Sequence, residues 1–344
     1  MIQDVEQSQT PLLRPEAESR APEAFPSDES PPRKLLVTRR AVLMVPFSFL
    51  AGMGAGYLLW TQAPGLFPAI GQYAGTNKEV NTIPTVINAS TVVNLPESYT
   101  LPVVLGDIGS RLIEAGVIDR SRFIETYAAA GKPLTDAQLA ILDQSHSETV
   151  VIDQANSYFL LNLFWAFGLV NQNPILTEGA MVTKSDGRIE NFASTGGWTL
   201  AIKPITELYA SIPLVPLSAD RQARMNEVAN AVHRPCCNNS TAFPDCNHGM
   251  AMLGLLELMA AQDATVDDMR EAAKFVNAFW FPQQMAEIAT LLKVTEGIDY
   301  ANAEARLVVS ANYSSSSGFQ AIHRWLADNG HLSQPASGGN QCGV

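Results

Sequence analysis

The chain predicts a mainly α, multi-helix globular domain outside the membrane, preceded by a disordered tail and one transmembrane helix. Three observations carry that expectation. Apolar residues recur three and four apart in successive segments between residues 102 and 332, where alternating strand patterns are few. Residues 41–60 run for twenty positions without a charge. Residues 1–32 are rich in Pro, Glu, Ser and Gln and almost lack aromatic side chains.

The elements follow in order. A segment composed like residues 1–32 buries too little apolar area to offset its ordering entropy, so residues 1–40 are expected as a disordered cytoplasmic tail. At about 1.5 Å per helical residue, the uncharged run at 41–60 matches a hydrocarbon core of about 30 Å. Arg33, Lys34, Arg39 and Arg40 precede it and few basic residues follow, which predicts a cytoplasmic N-terminus and an exported remainder. No small-x-small cleavage motif follows Trp60, so the span reads as an uncleaved signal anchor in a bacterial cytoplasmic membrane, with a single pass and the C-terminal domain on the periplasmic side. The run Thr38-Arg39-Arg40-Ala41-Val42-Leu43 resembles the twin-arginine export signal of bacteria, without its usual polar residue after the Leu. That resemblance implies transport of an already folded protein.

Residues 61–101 carry Pro64, Pro68, Pro84 and Pro96 among many Thr, Asn and Val, with no helical period, and read as an extended linker or a loop laid over the domain. The mainly helical exported domain then spans 102–332. Its segments at 105–118 and 119–131 each run out at a glycine, and Thr135 with Asp136 caps the next start. The strongly apolar stretch 148–170 is expected as the central buried helix, because Asp153, Gln154, Asn156, Ser157 and Asn162 keep its apolar run short of a second span. Further helices are expected at 197–211, 218–232, 246–262, 265–281 and 317–328, and residues 333–344 as a flexible C-terminal tail.

A net charge of −12 with no basic stripe in the second half argues against nucleic acid as a partner. Protein or small-molecule partners remain open, besides the membrane contact through 41–60. Acidic residues at 136–143, 220–227 and 267–271 lie at surface spacing on helices, outside any recognisable catalytic context. Gly196-Gly197 reads as a tight turn into a helix rather than an anion cradle, and the serines of Tyr313-Ser-Ser-Ser-Ser-Gly-Phe319 as a helix cap.

The exception is "HRPCCNNSTAFPDCNHGMAM", residues 233–252, which holds three of the four cysteines and two of the five histidines. Pro244 and Asp245 look like a helix start with Asp245 as its cap, which would place Cys246 in the first turn, where the helix dipole favours a thiolate. His248 falls two residues on. Asn238-Asn239-Ser240 reads as a turn returning Cys237 toward Cys246, and His233 could supply a further nitrogen. Neighbouring side chains in an extended chain diverge, so Cys236 and Cys237 can share an ion only if the backbone turns between them. The expected arrangement splits them, with one thiol joining Cys246 and His248 and the other packing or pairing elsewhere, for instance with Cys342. The order Cys237-x-x-Ser-x-x-x-Pro-x-Cys246 resembles the CDGSH iron–sulfur proteins, although Cys236 and Cys237 are adjacent and His248 stands two rather than four positions after the last cysteine. That resemblance implies a loop able to hold metal.

The candidate ligands are therefore Cys236, Cys237, Cys246, His248 and His233, for copper, zinc or an iron–sulfur centre, serving metal handling or electron transfer. A disulfide-stapled interaction domain with no catalytic role, or a thiol–disulfide redox site, is the alternative reading of the same residues. Met250, Met252 and Met259 suit copper as ligands, but Met252 and Met259 share a face with leucines, as core residues do.

Overall fold

Most of the longer helices among the described residues start at a capping side chain. The computed structural model describes residues 82–88 and 91–332. The expected tail, anchor, early linker and C-terminal tail, together with Cys342, lie outside the described residues. Numbering only helices of eight residues or more, α1 is Ile108–Ala115, α2 Arg120–Ala129 and α3 Asp136–Asp143. Then come α4 Ser157–Val170, α5 Ala219–Ala231 and α6 Asn247–Ala261. Last are α7 Val266–Trp280, α8 Pro282–Glu296 and α9 Ser316–Asp328. Asp119, Ser218 and Ser315 cap α2, α5 and α9 through their side chains, and reciprocal capping boxes start α3 at Thr135–Gln138 and α7 at Thr265–Asp268. α1 stops where Gly116 takes a left-handed conformation, φ 79°, and returns its N–H to the carbonyls of Leu112 and Ile113.

The strands form two small antiparallel sheets. β1, Thr82–Asn88, pairs with β2, Thr91–Pro96, and β3, Ser98–Gly106, pairs with β4, His146–Asp153. β3 buries Tyr99, Leu101, Val103 and Leu105 on alternate positions, so the extended stretch expected at 61–101 ends in a strand that joins the core. Tyr99 stacks on Phe275 of α7 with ring centroids 4.3 Å apart.

The interior is built on the crossing of α4 and α6. A Cβ on Gly168 would collide with the Met250 carbonyl, and one on Gly254 with the backbone of Phe164 and Gly168, so the two glycines let the helix backbones touch. Met250, Met252 and Met259 are buried in this core. Glu257 is also buried there and accepts a 3.0 Å hydrogen bond from Asn171 Nδ2, while its Oε1 has no partner. Burial raises its pKa well above the ordinary carboxyl range.

Three sequence expectations change. The stretch 148–170 divides into β4 and α4, because Val150 to Ile152 alternate and Asp153 and Asn156 exchange hydrogen bonds of 3.0 and 2.8 Å that turn the chain. At 14 residues, or about 21 Å, α4 is too short to span about 30 Å of hydrocarbon, and among the described residues no helix is long and apolar enough to cross a membrane. The helix expected at 197–211 shrinks to Ile205–Leu208. Pro204 disfavours helix immediately before it, and Trp198 turns inward to donate a 2.7 Å hydrogen bond to the Val117 carbonyl. Finally, α8 is absent from the helices expected on sequence grounds, although Pro282 opens it and Met285, Ile288, Ala289 and Leu292 carry its buried face.

Candidate metal centre

The segment between α5 and α6 folds into a tight loop. The Cys237 N–H reaches the Arg234 carbonyl at 3.4 Å, closing a turn with Pro235 in its second position, where the fixed φ of proline suits a type I turn. That turn supplies the bend between Cys236 and Cys237. Thr241 N–H and Ala242 N–H donate to the carbonyls of Val232 and Ala229, and Ser194 N–H donates to the Asp245 carbonyl. The start of α9 closes the other side: Ser316 N–H donates to the Cys237 carbonyl at 2.9 Å, and Ser317 N–H to Asn238 Oδ1 at 2.8 Å.

Three sulfurs converge as a result. Cys236 Sγ lies 3.5 Å from Cys246 Sγ and 3.9 Å from Cys237 Sγ, and all three lie within 4.8 Å of one another. All three are free thiols; Cys246 is buried and the other two are partly exposed. The split expected from adjacency does not occur, because the Pro235 turn aims both thiols at Cys246.

Cys246, rather than Asp245, is the N-cap of α6: its sulfur accepts the Gly249 N–H at 3.4 Å. Asp245 instead pairs with Arg234, whose side chain is 1% exposed. The guanidinium donates from Nε to Cys246 Sγ at 3.1 Å and to Asp245 Oδ1 at 2.8 Å. It also donates to the carbonyls of Asn239 at 3.1 Å and Phe243 at 3.3 Å. A Cβ on Gly249 would strike this guanidinium, so the first turn of α6 admits Arg234 only because position 249 is glycine. Composition could not single out Arg234; the signal available was a basic residue beside the cysteines.

The electrostatics give the thiols unequal roles. Hydrogen bonds from Cys236 and Cys237 hold Cys246 well below the usual thiol range, and against its burial Arg234 and His248 add to the effect. Cys236 is pushed up, first by its hydrogen bonds with Cys237 and Cys246 and then by burial. Cys237 is pushed up to about 12: its contact with Cys236 acts the other way, but the hydrogen bond to Cys246 and burial outweigh it. Burial opposes the charge of Arg234, yet the facing sulfurs of Cys246, Cys237 and Cys236 outweigh burial and keep it cationic.

The histidines separate. The His248 imidazole is 7% exposed and packs on Phe281 at 4.5 Å between ring centroids, and it is the least of the influences that lower the Cys246 pKa. Its Nδ1 is buried without a hydrogen-bond partner, although His248 lies outside the set of ligand atoms that are all within 4.8 Å. His233 is not brought to the sulfurs: its Nδ1 lies 3.0 Å from the Ala231 carbonyl, and its N–H donates to the Val309 carbonyl. Elsewhere, the serines at 313–319 do cap a helix, through Ser315, and His323 is engaged at 2.8 Å by Glu287.

The donor set fits a thiophilic ion. Metal–sulfur bonds of about 2.3 Å in a tetrahedral site set sulfurs about 3.8 Å apart, close to the spacings already present. No protein-family model, curated protein or solved structure matches the chain.

Proposed function

We propose that Cys236, Cys237 and Cys246 bind a single soft metal ion, zinc or copper(I), with His248 completing the set, and that the protein handles this ion as cargo. The convergence of three free thiols within 4.8 Å carries the reading. The orphaned Nδ1 of His248, buried at the same helix start, supports it. Thiolates suit zinc, copper(I) and iron–sulfur centres, and a Cys3His set is a familiar zinc environment. Partial exposure of Cys236 and Cys237 leaves a side from which a competing ligand can take the ion, as transfer requires and a closed structural site does not.

Metal analysis together with a free-thiol count on protein from its native compartment tests this. About one ion per chain is expected, lost in Cys246→Ser; metal-free protein that takes up neither zinc nor copper(I) ends the reading.

We further propose that the protein is anchored through residues 41–60 with residues 61–344 exported. The charge asymmetry around that run supports it. Protease added to intact spheroplasts should digest the bulk of the chain, and full protection would refute the topology. The net charge of −12 argues against nucleic acid as a partner, and undetectable binding to duplex DNA at near-physiological salt is the expected outcome.

A further inference from the structure

The three sulfurs are not equivalent in reach. Cys246 Sγ is buried beneath Arg234 and the first turn of α6, whereas Cys236 is partly exposed and sits 3.5 Å from it. Cys246 accepts from Arg234 Nε at 3.1 Å and from Gly249 N–H at 3.4 Å, which holds its sulfur in place 3.5 Å from the partly exposed Cys236. A small reagent in solution meets Cys236 or Cys237 before Cys246, and of the two Cys236 has its 3.5 Å contact with the buried sulfur. Cys237 is the other partly exposed thiol, 3.9 Å from Cys236, and no hydrogen bond ties it to Cys246 as closely as Cys236 is tied.

We propose that Cys236 and Cys246 are a reversible dithiol–disulfide pair, oxidised by low-molecular-weight disulfides of the glutathione class, and that this oxidation releases the ion. The release rests on the metal reading; the disulfide does not. In the first step Cys236 passes its proton to the Cys246 sulfur 3.5 Å away and attacks one sulfur of the oxidant, forming a mixed disulfide and expelling one thiolate, which takes that proton on and leaves Cys246 a thiolate. In the second, the Cys246 thiolate attacks the Cys236 sulfur, breaks the mixed disulfide and expels the second thiolate. Two protein thiols lose two electrons in all, and one disulfide becomes two thiols. Two of three sulfur ligands are thereby withdrawn, leaving Cys237 and His248, too few to retain the ion. Excess thiol reverses both steps and restores the site.

The experiment uses the full chain carrying Cys342→Ser, so that the fourth cysteine cannot contribute. Oxidised glutathione is added to the zinc-loaded and the metal-free protein. Free thiols counted after denaturation should fall from three to one, peptide mapping should join Cys236 to Cys246, and zinc should appear on a colorimetric chelator in step with thiol loss. Cys246→Ser should stop at a glutathione adduct on Cys236, and Cys237→Ser should still close the disulfide, with folding of each variant checked by circular dichroism. An adduct confined to Cys237, a disulfide joining Cys237 to Cys246, or three thiols that survive oxidant would each overturn the proposal. A disulfide that forms in a protein unable to bind zinc would leave the dithiol–disulfide pair standing and remove the metal reading, and the release with it. Zinc binding with no disulfide would do the reverse.

Discussion

The first turn of α6 and the turns that follow it are held by opposite kinds of force. From Met250 onward the helix is buried and almost wholly apolar, and it meets α4 through Gly168 and Gly254 at backbone contact. Dispersion and area burial dominate there, and both fall off gradually as fit worsens. At the other end Cys246, Asp245 and the carbonyls of Asn239 and Phe243 surround the buried Arg234 guanidinium with four hydrogen-bonded acceptors. A buried cation with its partners complete is tolerated, but the same groups with one member missing are costly. The lesson is that the body of the helix should degrade by degrees and its mouth should fail abruptly.

Arg234→Met should give the largest effect. It strands the Asn239 and Phe243 carbonyls and Asp245, and a loss of about 3–5 kcal/mol is expected in urea unfolding. A loss below that of Gly254→Ala would break the comparison. Gly254→Ala should cost about 1–3 kcal/mol, because the α4–α6 backbones must separate to admit a methyl group. His248→Ala sharpens the site end: zinc affinity should drop about tenfold or more, as for loss of a ligand or its close support, while the free-thiol count stays unchanged. Unchanged affinity would remove His248 from the ligand set.

The smallest effect tests the one charge-bearing group in the helix body. The Glu257 carboxyl has its pKa raised by burial, so the folded protein holds a proton that the unfolded chain releases. Its contribution is fully present below the unfolded value near pH 4.5 and is lost as pH rises toward the folded value. Glu257→Gln should therefore stabilise the protein near neutral pH and make little difference near pH 4, as read from Tm at both. A variant less stable at neutral pH would show that the carboxyl serves the core in a way glutamine does not.

Caps and apolar spacing made most of the helices legible in the sequence, since Thr135, Ser218 and Ser315 act locally and need no knowledge of the fold. β3 was harder, because its pairing with β4 joins segments some fifty residues apart and its proline-rich approach reads as a linker. At the site, the cysteines stood out by type and spacing. The part played by Pro235 in bringing Cys236 and Cys237 to one point is a matter of backbone angle, and that of Arg234 depends on a glycine fifteen positions away. Neither is visible as a motif. His233 satisfied every rule of proximity in sequence and is drawn off by the carbonyl of Ala231.

The tie between the cysteine loop and α9 also bears on when the site can exist. Ser316 and Ser317 hold Cys237 and Asn238 through hydrogen bonds that span nearly eighty residues of chain. During synthesis the three cysteines therefore emerge well before the backbone that fixes their loop, and a nascent chain stopped short of residue 316 presents thiols without a pocket. If the proposed metal binds, its loading would be a late event, taking place on a completed fold rather than guiding its assembly, and a chain truncated ahead of α9 should keep its cysteines and lose their geometry.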